Sequence, residues 1–436
     1  MRDFAVSESP AVQAQLDRLA ALSLPQGRFG LDAIRELLTR LGDPQLRIPP
    51  AFHVAGTNGK GSTCAFLRAM LEAQGYRVHA ITSPHLVRYN ERLRLAGRLV
   101  EDDELAGLLA QVLDAAQGLE VSFFETTIAA SFLAFSRHAA NVCVIEVGLG
   151  GRFDATNVIR APLACGIATL GIDHERFLLA PEAGVPPEPL SRIAFEKAGI
   201  RKPGVPLVTQ AYAPPMAATI HALAEADGVP LLARGAGWDA EIDDSAIRYS
   251  DATGRLTLPL PAMPGAHQAD NAALAVAMLR HQQALPVSAD AMAAGILAAR
   301  WPARMQRLGA GPLTALVPDA EVWLDGGHNR DAGVALRTFL DQRGLRPQLV
   351  LGMIAGKDPA ALLEPLHPLV KGVTLVPVPG HEHHSPEAFA GWPVPMRDAP
   401  DVAGALAALD RPSSVLIAGS LYLAGAVLAA NGEVPD

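Results

Sequence analysis

The chain has 436 residues, more than one ordinary core holds and suited to two or three domains. Half of its residues are hydrophobic and 19% are charged, the balance of a globular protein and not of a disordered one. A net charge of −9 argues against a broad nucleic-acid surface and leaves room for a local basic pocket that takes a small anion.

The N-terminal stretch MRDFAVSESPAVQ has no basic segment followed by an apolar one, so no signal peptide is expected. FHVAG (52–56) is a short strand candidate, and KGSTCAFLRAMLEAQG (60–75) has helical periodicity closed by glycine. RVHAITS (77–83) reads as a strand and ETTIAASFLAFSRH (125–138) as a helix. NVCVIEV (141–147) is a continuous apolar run closed by an acid, the pattern of a buried parallel strand. ACGIATL and VPLVTQ read as strands, with SRIAFEKAG (191–199) as a helix between them and the proline-rich 180–191 as a surface loop. This alternation predicts an α/β fold with a P-loop-type parallel sheet covered on both faces. From about 235 to 260 the pattern turns to short antiparallel strands with a turn at ATG. HQADNAALAVAMLRHQQAL then reads as a helix, and the Trp-Pro pair in AARWPAR marks a boundary. After it the alternation resumes through EVWLDGG, PQLVLGM, VTLVPV and SSVLIAG, a smaller Rossmann-like α/β domain. The expected domains are 1–298 and 303–436. No apolar run reaches ~18 residues, so no membrane span is expected. Cys64, Cys143 and Cys165 form no CxxC pair, which suits a reducing cytosol and a cytoplasmic protein.

HVAGTNGKGSTCAFL (53–67) is the stretch richest in chemistry. A glycine turn between a buried strand and a helix aims backbone N–H groups at one point, and the helix dipole adds positive charge there. Gly56, Gly59 and Gly61 relax the backbone, Lys60 supplies a point charge for phosphates, and Ser62 or Thr63 can bond a phosphate or bear on a metal. GTNGKGS is a compressed form of the G-x-x-x-x-G-K-[ST] spacing. Three further residues follow apolar strands, where α/β proteins bind ligands: Ser83 after RVHAIT, Glu146 closing NVCVIEV, and His174 in GIDHE. Oxygen ligands with one imidazole suit Mg²⁺ or Mn²⁺ better than zinc. The ordinary alternatives are a solvated strand-end acid for Glu146 and a loop histidine for His174.

GTNGKGST, TSPHLVRYNERL (82–93), VIEVGLGGRFDATN (144–157), GIDHE (171–175), IAFEKAGI (193–200), HQADNAA (267–273), LDGGHN (324–329) and GSLYLAG (419–425) occur in this order across nearly the whole chain. In these motifs the sequence resembles folylpolyglutamate synthases, a branch of the Mur-ligase-like ATP-dependent amide ligases that in many bacteria also act as dihydrofolate synthases. The resemblance implies that a pterin carboxylate attacks the γ-phosphate of ATP, and that the amino group of L-glutamate then displaces phosphate from the acyl phosphate. It implies ATP, one or two Mg²⁺, and dihydropteroate, tetrahydrofolate and L-glutamate as the small-molecule partners, with no nucleic acid, no membrane and a monomeric chain. It places Asn58, Gly59, Lys60, Gly61 and Ser62 on ATP phosphates, and Ser83, Glu146 and His174 on magnesium. It makes Lys197 a carbamylated lysine that ligates a second magnesium; the alternative is a helix-surface lysine paired with Glu196 or Glu175. Asn271 is expected on the nucleotide from the first domain, with Arg304, Asp325 and His328 from the second. The pterin is expected near Phe29, Gly30, Leu31 and Asp32, near Ser122, Phe123, Phe124 and Glu125, and near Phe153, Asp154 and Ala155.

The sequence departs from the family pattern in places. The segment between His174 and Lys197 is longer than usual, AGKD (355–358) replaces a DKD-type triplet, and Gly327 and Gln306 replace the usual alanine and acid. HEHH (381–384) looks like a metal cluster and is read as a solvated loop. The rival functions are a monofunctional folylpolyglutamate synthase, a Mur-type ligase for a cell-wall nucleotide precursor, a P-loop nucleotide switch and a non-catalytic folate binder. The cell-wall ligase calls for an extra N-terminal domain where about 50 residues precede the phosphate loop. The binder has little use for Lys60 and Glu146.

Overall fold

The computed structural model describes residues 5–22 and 30–436. It divides into two compact units: 5–22, 30–84, 89–262 and 268–300 in the first, and 85–88, 263–267 and 301–436 in the second.

The first unit is built on an eight-stranded sheet in the order β4-β3-β2-β5-β1-β6-β7-β8. Its strands are β1 (Ala51–Ala55), β2 (Val78–Ile81), β3 (Leu93–Leu95), β4 (Arg98–Leu99), β5 (Val142–Glu146), β6 (Ala164–Ile167), β7 (Leu207–Thr209) and β8 (Leu231–Ala233). Pairing is parallel from β2 through β8, and β3 and β4 add an antiparallel edge. The central strands β1 and β5 are buried at every residue, which is why their sequences are continuously apolar instead of alternating. The helices are α1 (Pro10–Ala20), α2 (Asp32–Arg40), α3 (Lys60–Ala73), α4 (Asp102–Ala115), α5 (Phe123–Arg137), α6 (Glu175–Leu178), α7 (Pro189–Ala198), α8 (Pro214–Ala226), α9 (Ala266–Arg280) and α10 (Ala289–Ala298). One core cluster joins α1, α2, α4 and α5 to the sheet through residues such as Leu16, Leu37, Leu109 and Phe132. On a second cluster Ile193, Ala194 and Ala198 of α7 meet Cys165, Ile167 and Leu207. The turn at ATG joins two strands of a separate three-stranded antiparallel sheet, β9 (Trp238–Ile242), β10 (Ile247–Asp251) and β11 (Gly254–Leu258).

The second unit carries a six-stranded sheet in the order β12-β13-β17-β14-β15-β16. These are β12 (Gln306–Arg307), β13 (Glu321–Leu324), β14 (Gln348–Leu351), β15 (Gly372–Leu375), β16 (Met396–Asp398) and β17 (Ser414–Ala418), parallel except for β12. Helices α11 (Arg330–Gln342), α12 (Pro359–Leu366), α13 (Val402–Ala407) and α14 (Leu421–Asn431) supply the layers on two separate core clusters. The α/β class and the parallel sheets agree with the sequence reading. Among the described residues no helix is long and apolar enough to cross a membrane.

Candidate active site

The turn after β1 is a backbone cradle. Thr57 and Asn58 donate their N–H groups to the Thr169 carbonyl at 2.8 and 3.2 Å, and the Thr57 hydroxyl donates to the Gly171 carbonyl at 2.8 Å. These bonds dock the turn on the loop after β6. Gly59 stands at φ 80° as the N-cap of α3, a left-handed conformation that glycine adopts without strain. Gly59 brings no side chain of its own to cap the helix, so its first-turn N–H groups receive no N-cap bond from that position. A Cβ on Gly59 would lie 2.4 Å from the Asn271 Oδ1, so the Asn271 amide sits directly against the loop. Asn271 is buried and its Nδ2 donates to the Gln268 Oε1 at 3.3 Å.

Two lysines converge on this turn. The Lys60 Nζ donates to the Gly56 carbonyl at 3.1 Å and to the Thr57 carbonyl at 3.3 Å. From α7 the Lys197 Nζ reaches the same Gly56 carbonyl at 2.9 Å. Lys197 is 3% exposed, so the helix-surface alternative does not describe it; Glu196 is taken instead by Arg152 and Arg192. Burial, and then the Lys60 charge, bring the Lys197 ammonium down from its ordinary value to about 7, against the opposing pull of Asp173, Asp154 and Glu196.

Parallel pairing of β2 with β5 sets Ser83 beside Glu146, whose Oε2 accepts from the Ser83 N–H at 3.1 Å. Glu146 is 4% exposed, so it is not the solvated strand-end acid. His174 caps α6 at φ 55°, half-exposed, with its Nε2 4.0 Å from the Asp173 carboxylate. Among the described residues no group of three or more histidine, cysteine, aspartate or glutamate side chains could hold a metal by itself. Magnesium bound with a nucleotide needs one or two carboxylates and takes its remaining oxygens from phosphates and water. A buried Glu146, the neighbouring Ser83 and the buried Thr63 hydroxyl, which has no hydrogen-bond partner among the described residues, fit that requirement.

The expected pterin residues divide. Phe29 lies outside the described residues. Gly30 is exposed, Leu31 is buried just before α2, and Asp32 is an exposed first-turn acid 3.5 Å from Arg35. Ser122 and Glu125 form a reciprocal cap of α5: the Ser122 N–H donates to the Glu125 Oε2 at 2.8 Å, and the Glu125 N–H to the Ser122 hydroxyl at 3.2 Å. Phe123 meets Tyr89 edge-on at 5.9 Å, and Phe124 packs on the Gly148 backbone. Phe153 is 37% exposed, with the Arg152 guanidinium 4.1 Å from its ring centre. Ala155 is buried in a 3₁₀ turn that Asp154 caps. The buried Asp154 accepts from the Leu149 N–H at 2.9 Å, the Thr156 N–H at 3.0 Å and the Thr156 hydroxyl at 2.5 Å. Burial pushes this carboxyl up despite those donors. The Thr156 hydroxyl also meets His53 Nε2 at 2.8 Å.

In the second unit, Asp325 at the end of β13 accepts from the Met305 N–H at 2.8 Å and the Gly327 N–H at 2.7 Å. The His328 Nδ1 lies 3.2 Å from the Gly326 carbonyl, and Arg304, half-buried, reaches the Ala303 carbonyl at 3.4 Å. HEHH forms no metal cluster, nor is it simply solvated. His381 stacks on Tyr422 with centroids 3.8 Å apart, and His384 Nε2 sits 2.6 Å from the Lys357 carbonyl. Sequence reasoning missed Asp173 and the His53–Thr156–Asp154 chain; an acid directly before the candidate His174 was the available signal for the first.

No family model matches the chain. The dihydrofolate synthase/folylpolyglutamate synthase of Bacillus subtilis is 34% identical over 351 residues, 76% of each chain. The structure of Escherichia coli FolC in complex with DHPP and ADP superposes with a TM-score of 0.84 at 30% identity, covering 97% of both chains. The Yersinia pestis bifunctional folylpolyglutamate synthase/dihydrofolate synthase complexed with AMPPNP and Mn ion gives 0.83 at 30% identity, over 98% of this chain and 99% of that one. The chain belongs to the dihydrofolate synthase/folylpolyglutamate synthase family.

Proposed function

We propose that the chain is an ATP-dependent carbon–nitrogen ligase that adds L-glutamate to dihydropteroate and to tetrahydrofolate. The observation that carries this reading is the convergence of Lys60 and Lys197 on the Gly56 carbonyl, at a helix N-terminus that begins on Gly59 and is bordered by Asn271. Two amines held this close repel one another in the absence of an anion, and a polyphosphate relieves that.

In this reading Asn58, Gly59, Lys60, Gly61 and Ser62 hold the ATP phosphates and Asn271 meets the nucleotide. We take the domains as 1–298 and 303–436, with Arg304, Asp325 and His328 as the nucleotide-binding candidates of the second. The pterin carboxylate attacks the γ-phosphorus, ADP leaves, and an acyl phosphate forms. The glutamate amine then attacks the acyl carbon, loses a proton, and phosphate departs. Negative charge builds at the γ-phosphate oxygens in both steps, where the Lys60 ammonium and the first-turn amides of α3 stabilise it. Ser83, Glu146 and His174 would hold Mg²⁺, with Lys197 as a further ligand once carbamylated. The ion would neutralise phosphate charge. Carbamylation joins the neutral Lys197 amine to carbon dioxide and releases one proton, and the lowered proton affinity of Lys197 favours it. Phe153 and Phe124, with Asp154 and the Leu31–Asp32 turn, form the pterin side. We place the chain in the cytoplasm as a monomer, consistent with three buried free thiols.

The test is ADP release with Mg²⁺, ATP and glutamate, with and without each pterin, following product mass in the same reaction. Each pterin should stimulate ADP release and gain one glutamate mass. Turnover with tetrahydrofolate alone would leave a monofunctional polyglutamate synthase. No stimulation by either pterin would refute the ligase reading.

A further inference from the structure

Four charged side chains outside the proposed chemistry join α7 to the loop after β5. Glu182, in the segment between α6 and α7, takes Arg152 through two bonds: Nη1 to Oε1 at 3.1 Å and Nη2 to Oε2 at 2.6 Å. It also accepts from the Arg192 Nη2 at 2.9 Å. Glu196 grips the same Arg152 from the other side, with Nε to Oε2 at 3.1 Å and Nη2 to Oε1 at 2.9 Å, and lies 3.0 Å from Arg192. The two positive and two negative charges sum to zero, and the side chains of Arg192 and Glu196 are only 6% and 7% exposed. Carboxylates along the edge of a guanidinium fix its plane and leave its two faces free to stack. Two rings lie against this guanidinium: the Arg152 Cζ is 4.1 Å from the Phe153 ring centre and 5.0 Å from that of Phe195. Backbone bonds hold the same point, with the Arg152 N–H on the Glu196 carbonyl at 2.8 Å and the Asn157 Nδ2 on the Arg152 carbonyl at 3.0 Å. The segment carrying Glu182 is tied at its start as well, because the Arg192 Nε donates to the Leu178 carbonyl at 3.0 Å.

We propose that Glu182 is a positioning residue for the acceptor substrate: by clamping the Arg152 guanidinium it fixes the platform under Phe153, and so sets the face that receives the flat heteroaromatic ring. The inference rests on the ligase reading and on Phe153 meeting the pterin. Glu196 would still hold Arg152 along one edge through two bonds, but Arg152 would lose the other two-bond partner that pins its Nη1, and the cluster would carry an unbalanced positive charge. The Phe153 ring would then sample more orientations. Among the described residues Glu182 bonds to Arg152 and Arg192 and not to the phosphate loop or Lys197, so the effect should be confined to the pterin.

The experiment is steady-state kinetics of the full chain and of Glu182→Gln, varying dihydropteroate, tetrahydrofolate and ATP separately, with urea unfolding of each protein. The expected result is a rise of about three- to tenfold in KM for both pterins, with KM for ATP and kcat within about twofold of wild type. Glu182→Asp should recover part of the loss, and it stands in should the glutamine variant not fold. In a Phe153→Ala background Glu182→Gln should add no further change to pterin KM. Unchanged pterin KM, an equal rise in KM for ATP, or full additivity with Phe153→Ala would each overturn the proposal. A wild-type chain without pterin-dependent ADP release would overturn the ligase reading and this one with it. An active wild type with an indifferent Glu182→Gln would overturn the clamp alone.

Discussion

Gly59→Ala tests the phosphate cradle directly. At φ 80° an alanine meets the left-handed penalty of about 1–2 kcal/mol. Its Cβ would also lie 2.4 Å from the Asn271 Oδ1 and 3.1 Å from its Cγ, so the amide must move. Asn271 is buried and bonded to Gln268, and forced overpacking of such a site costs about 1–3 kcal/mol. The two terms together predict a loss of about 2–5 kcal/mol in urea unfolding, read as a lower midpoint at constant slope. Moving Asn271 and twisting the loop should also raise KM for ATP by about tenfold or more, the equivalent of about 1.4 kcal/mol of binding. A double-mutant cycle separates the terms. In an Asn271→Ala background the steric part vanishes and the backbone part stays, so the two substitutions should couple favourably by about 1 kcal/mol or more. Additive stabilities would refute the contact between Gly59 and Asn271. A Gly59→Ala protein with wild-type midpoint and wild-type KM for ATP would refute the whole geometry of the cradle.

Lys197→Met should leave unfolding stability at neutral pH unchanged or higher, because it removes a buried amine whose charge burial disfavours, while ADP release with pterin falls by at least about a hundredfold. A marked fall in stability with turnover retained would contradict this. Burial, reinforced by Lys202, lowers the proton affinity of His53 to about 3, so the folded chain declines a proton that the unfolded chain binds near 6.5. Its contribution to stability is therefore complete above pH 6.5 and is lost as pH falls toward 3. His53→Gln should flatten the stability-versus-pH slope in that window by about 1.4 kcal/mol per pH unit, measured by urea unfolding at several pH values. An unchanged slope would mean that His53 protonates in the folded state. Gly425→Ala should be severely destabilising, by about 4 kcal/mol or more or with no soluble product, because its Cβ would stand 1.8 Å from the Leu86 carbonyl oxygen, a backbone atom that cannot rotate away. Wild-type thermal stability would show that α14 does not pack on that carbonyl as described.

What the sequence disclosed depended on the range of the interaction involved. Strand β1, the glycine turn and α3 were readable because an apolar run, three glycines and a helical period are all local signals, and the structure starts α3 at Lys60 as that reading requires. Ser122 and Glu125 carried a local signal too, the S-x-x-E spacing of a capping box, and the structure forms that box. Lys197 is subtler. It stands at helical spacing with Ile193, Ala194 and Ala198, on the stripe that faces the core, so its burial was legible. Its partner was not, because the Gly56 carbonyl lies 141 residues away and belongs to a turn whose docking depends on Thr169 and Gly171. The same holds for Arg152, whose two carboxylates sit 30 and 44 residues further along the chain. Periodicity reports which side of an element is buried, but it is silent on what a buried charge will find there. That is fixed by parallel pairing of β1 with β5 and β6, which carries the turns at their carboxyl ends to one place. A charged residue on an apolar stripe is therefore the point at which a sequence signals that a tertiary partner exists without naming it, and Lys197 meets that description in the part of this chain where the chemistry is proposed.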